Sequence, residues 1–270
     1  MDRNKVSRKR LVRGLGIVLA VVVVVALGFV VWGGTPQLAS VEAVAALASD
    51  GSVTVTEDRW ITFTPPGVAP TTGFIFYPGA RVDPRAYAQL ARALATRGTQ
   101  VVIVPMPLNL AVLASGRAAE VIAAYPEVGA WAVGGHSLGG AMAASFASRH
   151  AGAVDGLVLW AAYPASGDDL SARDDLAVLS VYATLDGLMT AAERIASEER
   201  LPASTCWAAI EGGNHAQFGA YGVQRGDNPA TLSASAQQVR VMEATAAFLR
   251  GLGAFSRGGQ LTCPLAGGGQ

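Results

Sequence analysis

Gly134-Gly135-His136-Ser137-Leu138-Gly139-Gly140 stands between an apolar run, Ala130–Val133, and a helix-period segment, Leu138–His150. A serine in so sharp a strand–turn–helix corner needs small residues on both sides, which hold it in strained backbone geometry with its hydroxyl toward the cleft. Leu138 then opens the helix, and its free N–H can donate to a developing oxyanion. With 32 glycines in 270 residues, the G-x-S-x-G spacing alone arises easily by chance. The flanking strand and helix give it meaning. The plainer alternative is a glycine-rich turn with an N-capping serine.

The same alternation runs outward along the chain. Apolar runs at Gly73–Tyr77, Val101–Val104, Ala130–Val133, Leu157–Trp160, Leu176–Tyr182 and Trp207–Ile210 alternate with amphipathic segments at Pro84–Thr96, Val112–Ala124, Leu138–His150, Thr190–Arg200 and Ala234–Leu249. This pattern predicts an α/β fold, a mostly parallel central sheet with helices on both faces. Two shorter strands, Val53–Thr56 and Trp60–Thr64, flank the turn Asp58-Arg59 and make the sheet mixed. Ligands in such sheets bind at the carboxyl ends of the strands. The loops of interest are therefore Tyr77–Arg81, Pro105–Leu108, His136–Leu138, Ala161–Gly167, Leu185–Gly187 and Gly212–Tyr221.

A serine nucleophile needs a base, and the chain has three histidines. His136 lies inside the corner beside Ser137, and His150 ends the following helix. His215, in Gly212-Gly213-Asn214-His215 directly after a strand, is the base by elimination and position. The base must be oriented by an acid. Asp186 follows the strand Val178–Tyr182 and is the expected partner, with Glu211 as the competitor. Asp168, Asp169, Asp174 and Asp175 read as surface charges in polar loops. No cluster of His, Cys and Asp has metal-ligand spacing, so neither metal nor cofactor is expected.

These features together resemble the α/β-hydrolase superfamily over about residues 51–250, and most of all its small bacterial members related to dienelactone hydrolase. The resemblance rests on Gly135-His136-Ser137-Leu138-Gly139, on Asp186-Gly187, and on Gly213-Asn214-His215 leading the last helix. It implies a Ser137-His215-Asp186 triad, an acyl-enzyme intermediate and no metal. It also implies an oxyanion hole from the amides of Leu138 and Ala80, in Tyr77-Pro78-Gly79-Ala80 where relatives carry His-Gly-x. Tyr-Pro replaces that histidine, so the Gly79 or Arg81 amide is the alternative donor. Dienelactone hydrolases use cysteine where this chain has Ser137, so that substrate does not carry over.

The implied activity is hydrolysis of carboxylic esters or related acyl compounds. The 15 residues between Trp160 and Leu176 are few for a lid, which points to an open cleft and a small or medium acyl substrate. Arg81 and Arg85 are candidates to receive a substrate carboxylate or phosphate, solvated helix-start arginines being the plainer reading. A cell-envelope acyltransferase with the same triad, or a non-catalytic binding protein on this fold, are the alternative functions.

Charge is balanced, 20 Lys+Arg against 20 Asp+Glu, with 51% apolar and 15% charged residues. That excludes a disordered charged tail protein and offers no electrostatic basis for nucleic acid as a partner. The balance hides an asymmetry. Arg3, Lys5, Arg8, Lys9, Arg10 and Arg13 face only Asp2 in the first 13 residues, leaving 14 basic and 19 acidic groups beyond. Gly14–Trp32 carries no charge. That is close to the roughly 20 apolar residues of a membrane span and longer than the ~7–15 of a cleaved signal. An uncleaved anchor is expected, with cleavage as the alternative. No cation follows until Arg59, so the positive-inside bias keeps the N-terminus cytoplasmic and exports everything after residue 33.

The expected location is thus the cell membrane, single-pass, with the catalytic domain extracytoplasmic. Cys206 and Cys263, 57 positions apart, fit an oxidising compartment as a disulfide. The alternative is a buried free thiol at Cys206 and an idle Cys263. The organisation is then a basic segment (1–13), an anchor (14–33), a linker with a short helix (34–50), an α/β-hydrolase domain (51–255) and a Gly-rich tail (256–270).

Overall fold

Alternate side chains of a strand face opposite ways, and along Thr72–Tyr77 both directions lead into apolar cores. Phe74 and Phe76 enter one core, Ile75 and Tyr77 the other. Burial on both faces is why this strand reads as an unbroken apolar run. In the computed structural model, which describes residues 3–67, 69–261 and 263, it is the third strand of an eight-stranded sheet.

The strands are β1 (Thr54–Glu57), β2 (Ile61–Thr64), β3 (Thr72–Tyr77), β4 (Gln100–Ile103), β5 (Ala130–His136), β6 (Gly156–Trp160), β7 (Ala177–Ala183) and β8 (Cys206–Ile210). Their order is β1-β2-β4-β3-β5-β6-β7-β8, with β3 to β8 parallel and β1 and β2 joined by antiparallel pairing. Helices α3 (Ala88–Ala95) and α7 (Ala234–Phe255) cover the Phe74 face through Leu90, Leu94, Phe248 and Leu252. Helices α4 (Arg117–Ala124) and α5 (Leu138–Arg149) cover the other through Val121 and Phe146. The sheet is mostly parallel and helix-covered on both faces, as the sequence predicts. The chain leaves β3 toward β4 and returns across it to β5. Strand order reverses there, and a crevice opens outside the carboxyl ends of β3 and β5.

Three local readings change. Val112–Ala124 is not one helix but a 3-10 turn, Ala111–Leu113, followed by α4. The Tyr77 hydroxyl divides them, donating to Ser115 O at 2.7 Å and accepting from Ala118 N at 2.8 Å. Helix α7 continues past Leu249 to Phe255, through Gly251 and Gly253, because Leu252 is fully buried. Residues 34–50, expected as a linker with a short helix, hold that helix but are bonded into the domain. Gln37 N donates to Arg81 O at 2.7 Å and Asp83 N to Gln37 O at 3.0 Å, and the short α2 (Val41–Ala45) follows, capped by Ser40. The loop between β6 and β7 contains no helix, and α6 (Ala191–Glu198) lies between β7 and β8.

The first helix, α1 (Arg3–Gly34), projects from the domain with every side chain from Val12 to Trp32 exposed. Its apolar part, Val12–Gly34, is 23 residues long. At 1.5 Å per residue that is about 34 Å, enough to cross a hydrocarbon core. The side chains of the basic residues before Leu11 lie outside the described residues, as do Asp2 and the tail glycines Gly267-Gly268-Gly269.

Cys206, opening β8, is joined to Cys263 by a disulfide with Cα atoms 5.2 Å apart. A cross-link closing a loop of this size restricts the unfolded chain by about 4 kcal/mol at most. Cys263→Ser is expected to lower the melting temperature by several degrees, as is reductant on the wild type. Identical melting of the oxidised, reduced and substituted proteins in differential scanning calorimetry would count against that contribution.

Candidate active site

At the end of β5 the backbone turns into α5 within one residue, Ser137, at φ 53° and ψ −126°. A non-glycine residue in this region carries strain of roughly 1–3 kcal/mol. The corner closes because its neighbours lack side chains. A Cβ on Gly139 would lie 2.1 Å from Tyr77 O, and one on Gly135 2.4 Å from the same oxygen. The end of β3 and the start of α5 therefore meet backbone to backbone. Ser137 N donates to Trp160 O at 3.0 Å, while the half-buried Ser137 hydroxyl makes no hydrogen bond among the described residues.

Leu138 is the first residue of α5, so its N–H has no acceptor within the helix. Across the crevice runs Pro78-Gly79-Ala80-Arg81. Gly79 N donates to Tyr87 Oη at 3.1 Å, and Arg81 N donates to Asn109 O at 2.8 Å. Of the three amides weighed in this loop, Ala80 N–H alone has no partner among the described residues. Two unpaired amides on facing loops, at the mouth of a helix N-terminus, suit an oxyanion.

His215 and Asp186 come from the loops after β8 and β7. His215 Nδ1 lies 2.8 Å from Asp186 Oδ2, with the side chains 2% and 1% exposed. The other carboxylate oxygen accepts from Leu188 N at 2.8 Å and Met189 N at 2.7 Å, so the acid is fixed before the histidine meets it. With Nδ1–H donated to Asp186, Nε2 is the basic position, and it is buried with no partner. Such a ring can accept a proton at Nε2 while Asp186 stabilises the imidazolium. Glu211, the competing acid, is exposed.

Sequence reasoning missed what holds this loop. Asp227 Oδ1 accepts from Gly187 N (3.0 Å), His215 N (3.2 Å) and Asn228 N (2.9 Å), and its Oδ2 accepts from Ala216 N (2.8 Å). One carboxylate thus ties the Asp186 loop to the His215 loop. Fully buried Gln237 exchanges two more bonds with the Asn214 backbone, at 3.0 and 2.7 Å. In sequence, Arg225-Gly226-Asp227-Asn228-Pro229 has only the composition of a turn.

His136 is buried with its ring centroid 4.6 Å from that of His215. Tyr87 Oη accepts the Gly79 N–H and is also hydrogen-bonded with His136 Nδ1, 2.9 Å away. Burial, and then the neighbouring charge of His215, hold the His136 pKa well below the usual imidazole value. His150 caps α5, its Nδ1 being 3.0 Å from Phe146 O.

The arginines and one aspartate need correction. Arg81, a candidate substrate contact, instead turns back to α1, donating to Trp32 O and Thr35 O at 2.8 Å each. Arg85 is paired with Asp83. Asp168, read as a surface charge, is 6% exposed. A cavity of about 680 Å³ opens beside the His215 loop, lined by Ser40, Gln89, Asn214, Gln217 and Val223 among others. Neither Ser137, Leu138 nor Ala80 lines it, so the site is placed by its hydrogen bonds rather than by this cavity. Among the described residues no group of three or more His, Cys, Asp or Glu is arranged to hold a metal.

A family model described as "Alpha/beta hydrolase family" matches residues 73–239. No curated protein matches the chain in sequence. Among solved structures, the esterase domain of a Rhodothermus marinus protein superposes with a TM-score of 0.54 at 16% identity, over 71% of this chain and 91% of that one. A CIB-like hydrolase from Thermoplasma acidophilum gives 0.56 at 15% identity, over 74% of this chain and 100% of that one. At these identities the superpositions speak to the fold.

Two outcomes follow from the site's construction. Asp227→Asn removes an acceptor from a four-amide cluster, with an expected cost of about 1–3 kcal/mol in stability. By loosening the His215 loop it should also lower kcat up to about 10²-fold at unchanged KM; a full kcat would refute the positioning role. His136 is neutral when folded but gains a proton near pH 6.5 when unfolded. Stability is therefore fully present above about pH 6.5 and is lost as pH falls, by up to about 1.4 kcal/mol per pH unit. Urea titrations at stepped pH should show that slope, and His136→Gln should flatten it.

Proposed function

Because this chain belongs to the alpha/beta hydrolase family and is a hydrolase, we propose that it cleaves carboxylic esters or related acyl compounds through an acyl-enzyme on Ser137. The observation that carries the proposal is His215, hydrogen-bonded at Nδ1 to the twice-anchored Asp186 and left free at a buried Nε2. A buried, oriented imidazole with one open nitrogen is built to take a proton.

In the first step Ser137 Oγ forms a bond to the acyl carbon as its proton passes to His215 Nε2. The carbonyl oxygen becomes an oxyanion between the amides of Leu138 and Ala80. His215 returns the proton to the departing alcohol as the ester C–O bond breaks, leaving acyl-Ser137. Water, deprotonated by His215, then attacks the acyl carbon, and Ser137 leaves with the proton. Asp186 stays ionised throughout and stabilises the imidazolium. His136 assists by staying neutral, since a second positive charge at this distance would oppose protonation of His215.

The short helix-free loop after β6 favours an open cleft and a substrate of small or medium size. The apolar helix α1 favours a membrane anchor, and the basic residues before it an N-terminus in the cytoplasm with the catalytic domain outside.

A fluorophosphonate should label the wild type and not Ser137→Ala. Asp186→Asn should retain the fold and lose about 10⁴-fold in kcat, because the histidine tautomer is no longer fixed. Folded wild type that takes up no label would overturn the proposal. Retained labelling in Ser137→Ala would move the nucleophile elsewhere.

A further inference from the structure

Helix α1 ends with carbonyls that have no acceptor role inside the helix, and the catalytic edge of the domain supplies their donors. Arg81 Nε reaches Trp32 O at 2.8 Å and its guanidinium stacks over the Trp32 ring at 4.6 Å. Asn109 Nδ2 donates to Gly33 O at 2.9 Å. A Cβ on Gly33 would meet Leu108 Cβ at 2.9 Å, so helix and loop touch. Arg81 N donates to Asn109 O, joining the two donors to each other. Arg81 directly follows Ala80, and consecutive Cα atoms are about 3.8 Å apart. The proposed oxyanion donor is thus within one residue of the helix exit.

Trp at a helix end marks the membrane–water interface, and Arg there keeps its charge in the headgroups while its stem lies on apolar surface. The clamp joins the edge that carries Ser137 and Ala80 directly to the helix exit. The surface around it agrees. Outside α1, nine large apolar side chains are strongly exposed among the described residues, and five belong to segments bordering the exit. Leu38 follows Gln37, which is bonded to Arg81. Val41 follows Ser40, whose N–H donates to Ala220 O, and Val223 lies three residues beyond Ala220. Val112 and Leu113 follow Asn109 in the turns after β4. Val223 is 94% exposed and Val41 81%. Glu42 and Arg225 are exposed charges beside them.

We propose that this apolar collar rests on the leaflet into which α1 exits, so that the Ser137 crevice opens onto the bilayer surface and takes acyl amphiphiles resident there. The occupant of the collar is the lipid surface itself, by continuity with α1. Bonds made and broken are those of the ester cleavage above. The inference rests on the anchor and serine-hydrolase readings, and adds to them the orientation of the domain and the source of its substrate.

The test uses the full chain in phosphatidylcholine–phosphatidylglycerol vesicles containing nitroxide lipids. Single labelled cysteines are placed in the collar (Leu113→Cys, Val223→Cys), in the span (Val23→Cys) and at the far end of the strands (Ala151→Cys). The collar labels should be quenched by headgroup-depth nitroxides severalfold more than the label at 151, and the span label by deep nitroxides. Collar labels that behave like 151 while 23 is quenched overturn the inference alone; an unquenched 23 overturns the anchor reading and the inference with it. The second readout compares one acyl group on a vesicle-embedded ester and on a water-soluble ester. Leu113→Asp with Val223→Asp should slow the embedded ester about tenfold or more and the soluble one by less than about twofold. Equal effects on both overturn the leaflet-resident substrate. If wild type cleaves neither ester, the hydrolase reading fails, while the quenching still decides the orientation.

Discussion

The carbonyl oxygen of Tyr77 occupies space that a Cβ on Gly135 or Gly139 would need. The geometry of the corner at Ser137 depends on that contact. Because β3 and the start of α5 touch through backbone alone, the loop after Tyr77 and the first amide of α5 face each other across a single crevice. The contact also explains the strain at Ser137. A chain that must turn from β5 into a helix pressed against β3 has no room for an ordinary conformation at the corner residue. Two packed cores, one on each sheet face, hold the corner in that state. Larger side chains at either glycine would separate strand from helix before they altered any group that does chemistry.

Most of the fold was legible because buried parallel strands write themselves as apolar runs, and all six such runs are strands. The misreadings were long-range. Nothing near Val112 announces that a tyrosine from β3 will divide the helix there, and nothing in Gly251 and Gly253 shows that Leu252 is covered. Ser137, Asp186 and His215 are legible as candidates because each follows a strand and so arrives at one edge of the sheet. Asp227 could not, since its role is to accept four amides brought together by three separate loops. Arg81 is hard to read for a related reason. A lone arginine after a strand suggests an anion, and only the folded chain brings Trp32 and Thr35 within its reach.

The Arg81 guanidinium is held at the helix exit: Nε and Nη2 cap α1 and the plane stacks on an indole, while its left-handed backbone, at φ 54°, fixes where the side chain starts. The residues after the span are likewise part of the domain, since Gln37 pairs with Val82 as an added strand-like bridge. Domain and helix are therefore bonded to each other on both sides of this junction.

The disulfide has a consequence at the sheet's margin. The sheet ends at β1 and β8. The first is short, largely exposed and carries Glu57, features that discourage pairing with another chain. The second, Cys-Trp-Ala-Ala-Ile, has no such protection in its own sequence. Beyond α7 the tail returns to it, with Leu261 against the backbone of Gly251 and Cys263 bonded to the first residue of the strand. The cross-link thus closes a covalent loop that holds the last strand, His215, Asp227 and α7, so the segment carrying the histidine stays tethered at both ends to one margin of the sheet even when its hydrogen bonds open.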